Sequence, residues 1–218
     1  MKARLWAWVV FVGLFAALNY GARYAGPSST RSQRDALYMY SSAVGGAVQY
    51  ALLLGIAIAI TVGADWRALF ALRRPRSIRR AAGRAAIVLA GVYILSAILD
   101  PLLHPGKEQG LTPTHWEASH AGAYAANFVV VALVAPVVEE LIFRGLGYSL
   151  LARYGKWVAI VVVGIAFGLA HGLVDALPLL AAFGCGLAWL RSETDSVYPG
   201  IVLHALFNAL ALVVAVTT

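Results

Sequence analysis

Long apolar runs separated by short polar interruptions make up most of the chain. A bilayer core is crossed by about 20 apolar residues of helix. Seven stretches approach that length, at roughly 5–21, 40–63, 82–100, 120–137, 156–171, 175–190 and 198–216. The fourth continues into the more polar "VAPVVEELIFRGL", and the fifth and sixth are short and close together. No run alternates apolar and polar residues as a barrel strand does, no internal repeat appears, and no tail is of low complexity. Lipid leaves backbone groups unsatisfied, so spans without barrel alternation must be helices. The pattern predicts an all-α polytopic transmembrane helix bundle of about seven spans, forming one integral membrane domain over residues 1–218.

The start "MKARLWAWVVFVGLFAAL" has the basic end and apolar stretch of a signal peptide. The following "GARYAGPSS" is a poor cleavage site, so this segment is expected to remain as a membrane helix.

Composition agrees with a membrane chain. Of 218 residues, 61% are hydrophobic and 12% charged, against about 25% charged in a soluble domain. The net charge of +7 is not a nucleic-acid signature, because the basic residues lie mainly between spans. With the N-terminus in the cytoplasm, the inner segments hold Lys2, Arg4, Arg67, Arg73, Arg74, Arg76, Arg79, Arg80, Arg84, Arg153, Lys156 and Arg191. The outer segments hold Arg23, Arg31, Arg34 and Lys107. Twelve against four favours that orientation by the positive-inside rule. The loop "RALFALRRPRSIRRAAGR" supplies most of the bias and reads as an interfacial anchor on anionic lipid. The single cysteine, Cys185, allows no internal disulfide and reads as a small buried apolar residue.

Against this background the charges of "EELIFR" stand out. One charge at the centre of a membrane helix costs about 2.5–3.5 kcal/mol on insertion scales. Glu140 and Arg144 are four apart, in the favoured Glu-before-Arg order on one helix face. Glu139 points about 100° away from Glu140 and has no local partner. An ion pair fixing helix packing accounts for Glu140 and Arg144 but leaves Glu139 unexplained. An intramembrane carboxylate of that kind is a functional candidate.

Two later spans add polar groups. "FGLAH" sets Phe167 and His171 one turn apart, and "HALFN" does the same for His204 and Asn208. Taken singly, each histidine reads more readily as a packed, hydrogen-bonded residue. Taken together, three helices present ionisable or amide groups that should face the bundle interior. A carboxylate can take a proton from water, a histidine can hold that water or protonate a leaving amine, and an amide can donate to an oxyanion. Rise per residue lets Glu139 and His171 lie level, about 21 Å from the turn near Arg153. The same straight-helix reckoning puts His204 shallower, unless the segment 192–200 dips into the bundle.

The three motifs, EExxxR, FxxxH and HxxxN in that order, resemble those of the CPBP family of intramembrane proteases, also called the Abi or CAAX-protease-and-bacteriocin-processing family. The resemblance covers about residues 120–215, whereas residues 1–110 carry no readable motif. It implies an Rce1-type glutamate protease that uses activated water and no catalytic metal. On that carry-over Glu139 is the general base, and His171 helps bind and activate the water. His204 and Asn208 form the oxyanion-stabilising side, Glu140 and Arg144 support Glu139, and Phe167 shapes the pocket. The implied partners are a lipid bilayer and a membrane-associated protein or peptide cut near its C-terminus, of prenylated CAAX or sorting-signal type, with no nucleic acid.

Three competing readings remain at this stage. Zinc could be held by two histidines and a glutamate, although no H-E-x-x-H occurs. A second histidine set, His104, His115 and His120, reads as surface or interfacial more readily than as a metal site. A proton-relay or transport protein would use similar groups, but no inverted repeat is evident. A non-catalytic immunity or scaffold protein of the same fold is the third. The sequence names neither the substrate nor the oligomeric state.

Overall fold

The computed structural model describes residues 1–25, 36–103 and 116–217. All of the regular structure among them is helical. The longer helices are α1 (Lys2–Ala25), α2 (Tyr40–Thr61), α4 (Ile78–Leu103), α5 (Ala118–Tyr154), α6 (Lys156–Ala170), α7 (Leu177–Thr194) and α8 (Tyr198–Ala215), with the single turn α3 (Trp66–Leu69) between α2 and α4. Each of the seven predicted spans falls on one of these seven helices. Five of them, α1, α2, α4, α5 and α8, are long and apolar enough to cross a membrane. The α6 helix has 15 residues, about 22 Å at 1.5 Å per residue. Leu14, Leu18, Ile56, Ile94 and Leu206 face outward on these helices. Such exposure suits a hydrocarbon surround, and the chain is an integral membrane protein.

Helix ends follow local chemistry. Asp65 caps α3 by accepting from Ala68 N at 3.1 Å. Pro178 and Pro199 sit in the first turns of α7 and α8, where a missing N–H costs nothing. Gly155 closes α5 at φ 121°, a conformation L side chains rarely adopt.

One end of the bundle collects the basic segments. Arg4 donates to Val62 O. Arg73 pairs with Asp195 at 2.6 Å, Arg84 with Glu193 at 2.8 Å, and Lys156 also with Glu193. The N-terminus, the segment from Arg67 to Arg84, the turn at Arg153–Lys156 and the turn at Arg191–Asp195 therefore meet on one side. The loop read from sequence as an interfacial anchor does more than that. Phe70 and Ala71 are buried, and Ala71 O accepts from Val197 N at 3.2 Å. Phe70 lies against Gly145, where an added Cβ would come within 2.9 Å of the Phe70 Cα.

Glycines bring α6 and α7 into close contact. A Cβ on Gly184 would meet Gly164 O at 2.7 Å, and one on Gly164 would meet the Cys185 Sγ. Small residues permit such approach in membrane bundles, where packing substitutes for the hydrophobic effect. Cys185 is half-buried at this contact.

Candidate active site

The two glutamates lie on an interrupted helix. Within α5, the α-helical segment Ala135–Glu140 is flanked by π-helical segments Val130–Val134 and Leu141–Gly147. Such π turns are rare and occur often at functional sites. Pro136 provides a local reason for the first one. It has no N–H to offer the preceding turn, and Val131 O, five residues earlier, accepts instead from Asn208 Nδ2 at 3.0 Å. At the second, Trp8 of α1 donates its indole N–H to Ile142 O at 3.0 Å. Its ring occupies the space a Cβ on Gly147 would need.

Glu140 and Arg144 are both fully buried and pair at 2.9 Å. Arg144 Nη2 also donates to Gly184 O at 3.1 Å, and its guanidinium lies 4.2 Å from the Phe167 ring centroid. Glu140 Oε1 faces His204 Nδ1 at 3.2 Å. Its other oxygen lies against the first turn of α8, where a Cβ on Gly200 would approach it to 2.6 Å. The first N–H groups of a helix have no partner within it and favour a nearby anion. Gly200 thus gives this carboxylate room beside the positive end of α8.

Glu139 points the other way, into a cavity of about 360 Å³. His171, His204, Asn208 and Phe167 line the same cavity, whereas Glu140 and Arg144 stand behind it. The remaining lining is mostly apolar and includes Val12 and Phe15 of α1 and Leu53 of α2. His204 Nε2 lies 3.7 Å from Glu139 Oε2. The α7–α8 turn explains this depth. Ser196 and Val197 are buried, so α8 starts inside the bundle and His204 is level with the glutamates. The straight-helix reckoning from sequence placed it too shallow.

His171 ends α6, with Nδ1 2.8 Å from Phe167 O. A carbonyl only accepts, so Nδ1 carries the proton in this contact, and in the neutral ring Nε2 keeps a lone pair. Phe167 is fully buried and central to the group. Its ring centroid lies 4.6 Å from that of His171 and 5.6 Å from that of His204.

Two details depart from the sequence reading. Glu139 has a partner after all, because Tyr50 of α2 donates its hydroxyl to Glu139 Oε1 at 2.7 Å. Tyr50 is 89 residues away in sequence, inside a span with no motif. Its only sequence signal is the polar pair Gln49–Tyr50 in the middle of an apolar stretch. Asn208, read as an oxyanion donor, already has one bond to Val131 O, which leaves its second amide hydrogen for the cavity.

Among the described residues no three His, Cys, Asp or Glu side chains stand together as a metal-ligating group. Of the second histidine set, His104 and His115 lie outside the described residues. His120 Nδ1 is 2.8 Å from Glu117 Oε2.

Comparison with known proteins agrees with the motifs. Residues 121–210 match the family described as Type II CAAX prenyl endopeptidase Rce1-like. Over 86 residues the chain is 27% identical to the protein named "Putative membrane peptidase YdiL" of Bacillus subtilis. That match covers 39% of this chain and spans only 35% of the relative's length. No solved structure matches the chain.

Proposed function

We propose that this integral membrane chain, Rce1-like over residues 121–210, is an intramembrane endopeptidase. Its substrate would be a membrane-associated protein or peptide cut near its C-terminus, of the prenylated CAAX or sorting-signal type. The observation that carries the reading is the convergence of Glu139, His171, His204 and Asn208, from three helices, on one apolar-walled cavity.

The chemistry is assigned residue by residue. A water between Glu139 Oε2 and His171 Nε2 donates one hydrogen to each, which aims an oxygen lone pair at the scissile carbonyl. Glu139 takes the proton as the water attacks. In its doubly protonated form His204 donates Nδ1–H to Glu140, which Arg144 holds, much as a buried carboxylate orients the histidine of a hydrolytic triad. His204 Nε2 and the second Asn208 amide hydrogen then stabilise the oxyanion. Collapse of the tetrahedral adduct breaks the C–N bond, and the departing nitrogen takes up the proton held by Glu139. The mostly apolar walls lower the local dielectric, which strengthens each of these contacts.

Residues 1–218 are proposed to act as one domain, with residues 120–215 as the catalytic core and 1–110 completing the cavity wall. The gathered basic end is proposed to face the cytoplasm. The test is cleavage of membrane-anchored peptides by the purified full chain in proteoliposomes. The wild type should release a defined C-terminal fragment and Glu139→Gln should not. A protein that binds such peptides tightly but never cuts them would be a scaffold or immunity protein instead.

A further inference from the structure

The helix that touches Glu139 from outside its own motif is α2, whose sequence carries no signature of the chemistry. Residues 121–210 hold the family match, and Tyr50 precedes it by a wide interval. Two contacts dock α2 beside α5. A Cβ on Gly46 would meet Val130 Cγ1 at 3.0 Å, and one on Gly122 would meet the Tyr40 hydroxyl. Gly46 is one helical turn before Tyr50, so the same face that fits against the π-helical segment delivers the phenol to Glu139. The hydroxyl reaches Oε1 at 2.7 Å, while Oε2 faces His204 across the cavity.

We infer that Tyr50 is a positioning residue for the catalytic carboxylate, supplied by the N-terminal half of the chain. The inference rests on the reading of Glu139 as the base. A carboxylate has two equivalent oxygens and rotates about its last torsion, which is broad and roughly two-fold. A donor fixed on one oxygen stops that rotation and leaves the other for the water. The ring of Tyr50 also walls the cavity beside Leu53, and tyrosine loses little conformational freedom in holding such a place. The motif residues alone do not supply this constraint, because Glu140 and Arg144 are occupied with each other.

Tyr50→Phe keeps the ring and removes only the donor, and its thermal stability is measured first as a folding control. The experiment then has two readouts on the full chain in proteoliposomes. The first needs no substrate. Infrared spectra assign the Glu139 carboxylate stretch as the band lost in Glu139→Gln, and in Tyr50→Phe that band should shift, because one oxygen has lost its hydrogen bond. The second uses an internally quenched apolar peptide anchored in the vesicle. Here kcat should fall about tenfold with KM unchanged, the size expected for a hydrogen bond to a charged group that matters in the transition state. An unmoved band overturns the inference, and so does a change confined to KM. A shifted band in a chain that cuts no peptide would leave the Tyr50–Glu139 contact standing, refute the peptidase reading and, with it, the positioning role.

Discussion

Removing Arg144 should damage folding far more than removing the charge of Glu139. Arg144 and Glu140 have no solvent-exposed side-chain surface, and they pair at 2.9 Å. In Arg144→Ala the Glu140 carboxylate keeps only His204 Nδ1 on Oε1, while Oε2 already lacks a hydrogen-bond partner. The variant also loses the donor to Gly184 O and the stacking on Phe167. Breaking a buried pair on one side typically costs about 3–5 kcal/mol. Glu139→Gln keeps an oxygen to accept from Tyr50 and changes little in volume, so its cost should be below about 1 kcal/mol. Thermal unfolding of both variants in one detergent, followed by tryptophan fluorescence, compares them directly. The double variant Glu140→Gln/Arg144→Met should recover much of the loss, since deleting both charges leaves neither one stranded. Equal losses in Arg144→Ala and Glu139→Gln would refute the division between a structural pair and a cavity-facing carboxylate.

Gly200→Ala should lower both melting temperature and activity although Ala is the better helix former by about 1 kcal/mol, because its Cβ would lie 2.6 Å from Glu140 Oε2; a rise in melting temperature would contradict the close approach. Asn208→Ala should reduce turnover by about 10²-fold or more, and adding His204→Ala should do little further harm if the two act as a unit; multiplicative losses in steady-state assays would show that they act separately. Trp8→Phe should cost about 1 kcal/mol in thermal unfolding through the lost bond to Ile142 O, and an unchanged melting curve would remove α1 from the support of the second π-helical segment.

Periodicity and charge made much of this structure legible in advance. Seven apolar stretches gave the helices because lipid allows no other way to satisfy a non-barrel backbone. The i, i+4 spacing of Glu140 and Arg144 gave their pair, and it survives even though the chain turns π-helical between them. The π segments themselves were hidden. The first goes with Pro136 and with the bond that Asn208, 77 residues away, donates to Val131 O, the second with the bond that Trp8 donates to Ile142 O, and no local pattern announces such pairings. Tyr50 was invisible for the same reason, since which helix faces Glu139 is a matter of packing. The depth of His204 stays open in the sequence because the Ser196–Val197 turn is buried against Ala71, a tertiary contact that hydropathy reads as an ordinary loop.

Whether Glu139 activates water for peptide hydrolysis is tested most directly by the isotope content of the product. The purified chain in proteoliposomes is given an anchored apolar peptide in ¹⁸O-labelled water, and fragments are read by mass spectrometry. The wild type should yield a single cut with one labelled oxygen in the new carboxylate, and Glu139→Gln should be slower by about 10²–10⁴-fold, the usual worth of a general base. Undiminished cleavage by Glu139→Gln, or no cleavage by a correctly folded wild type, would contradict the account.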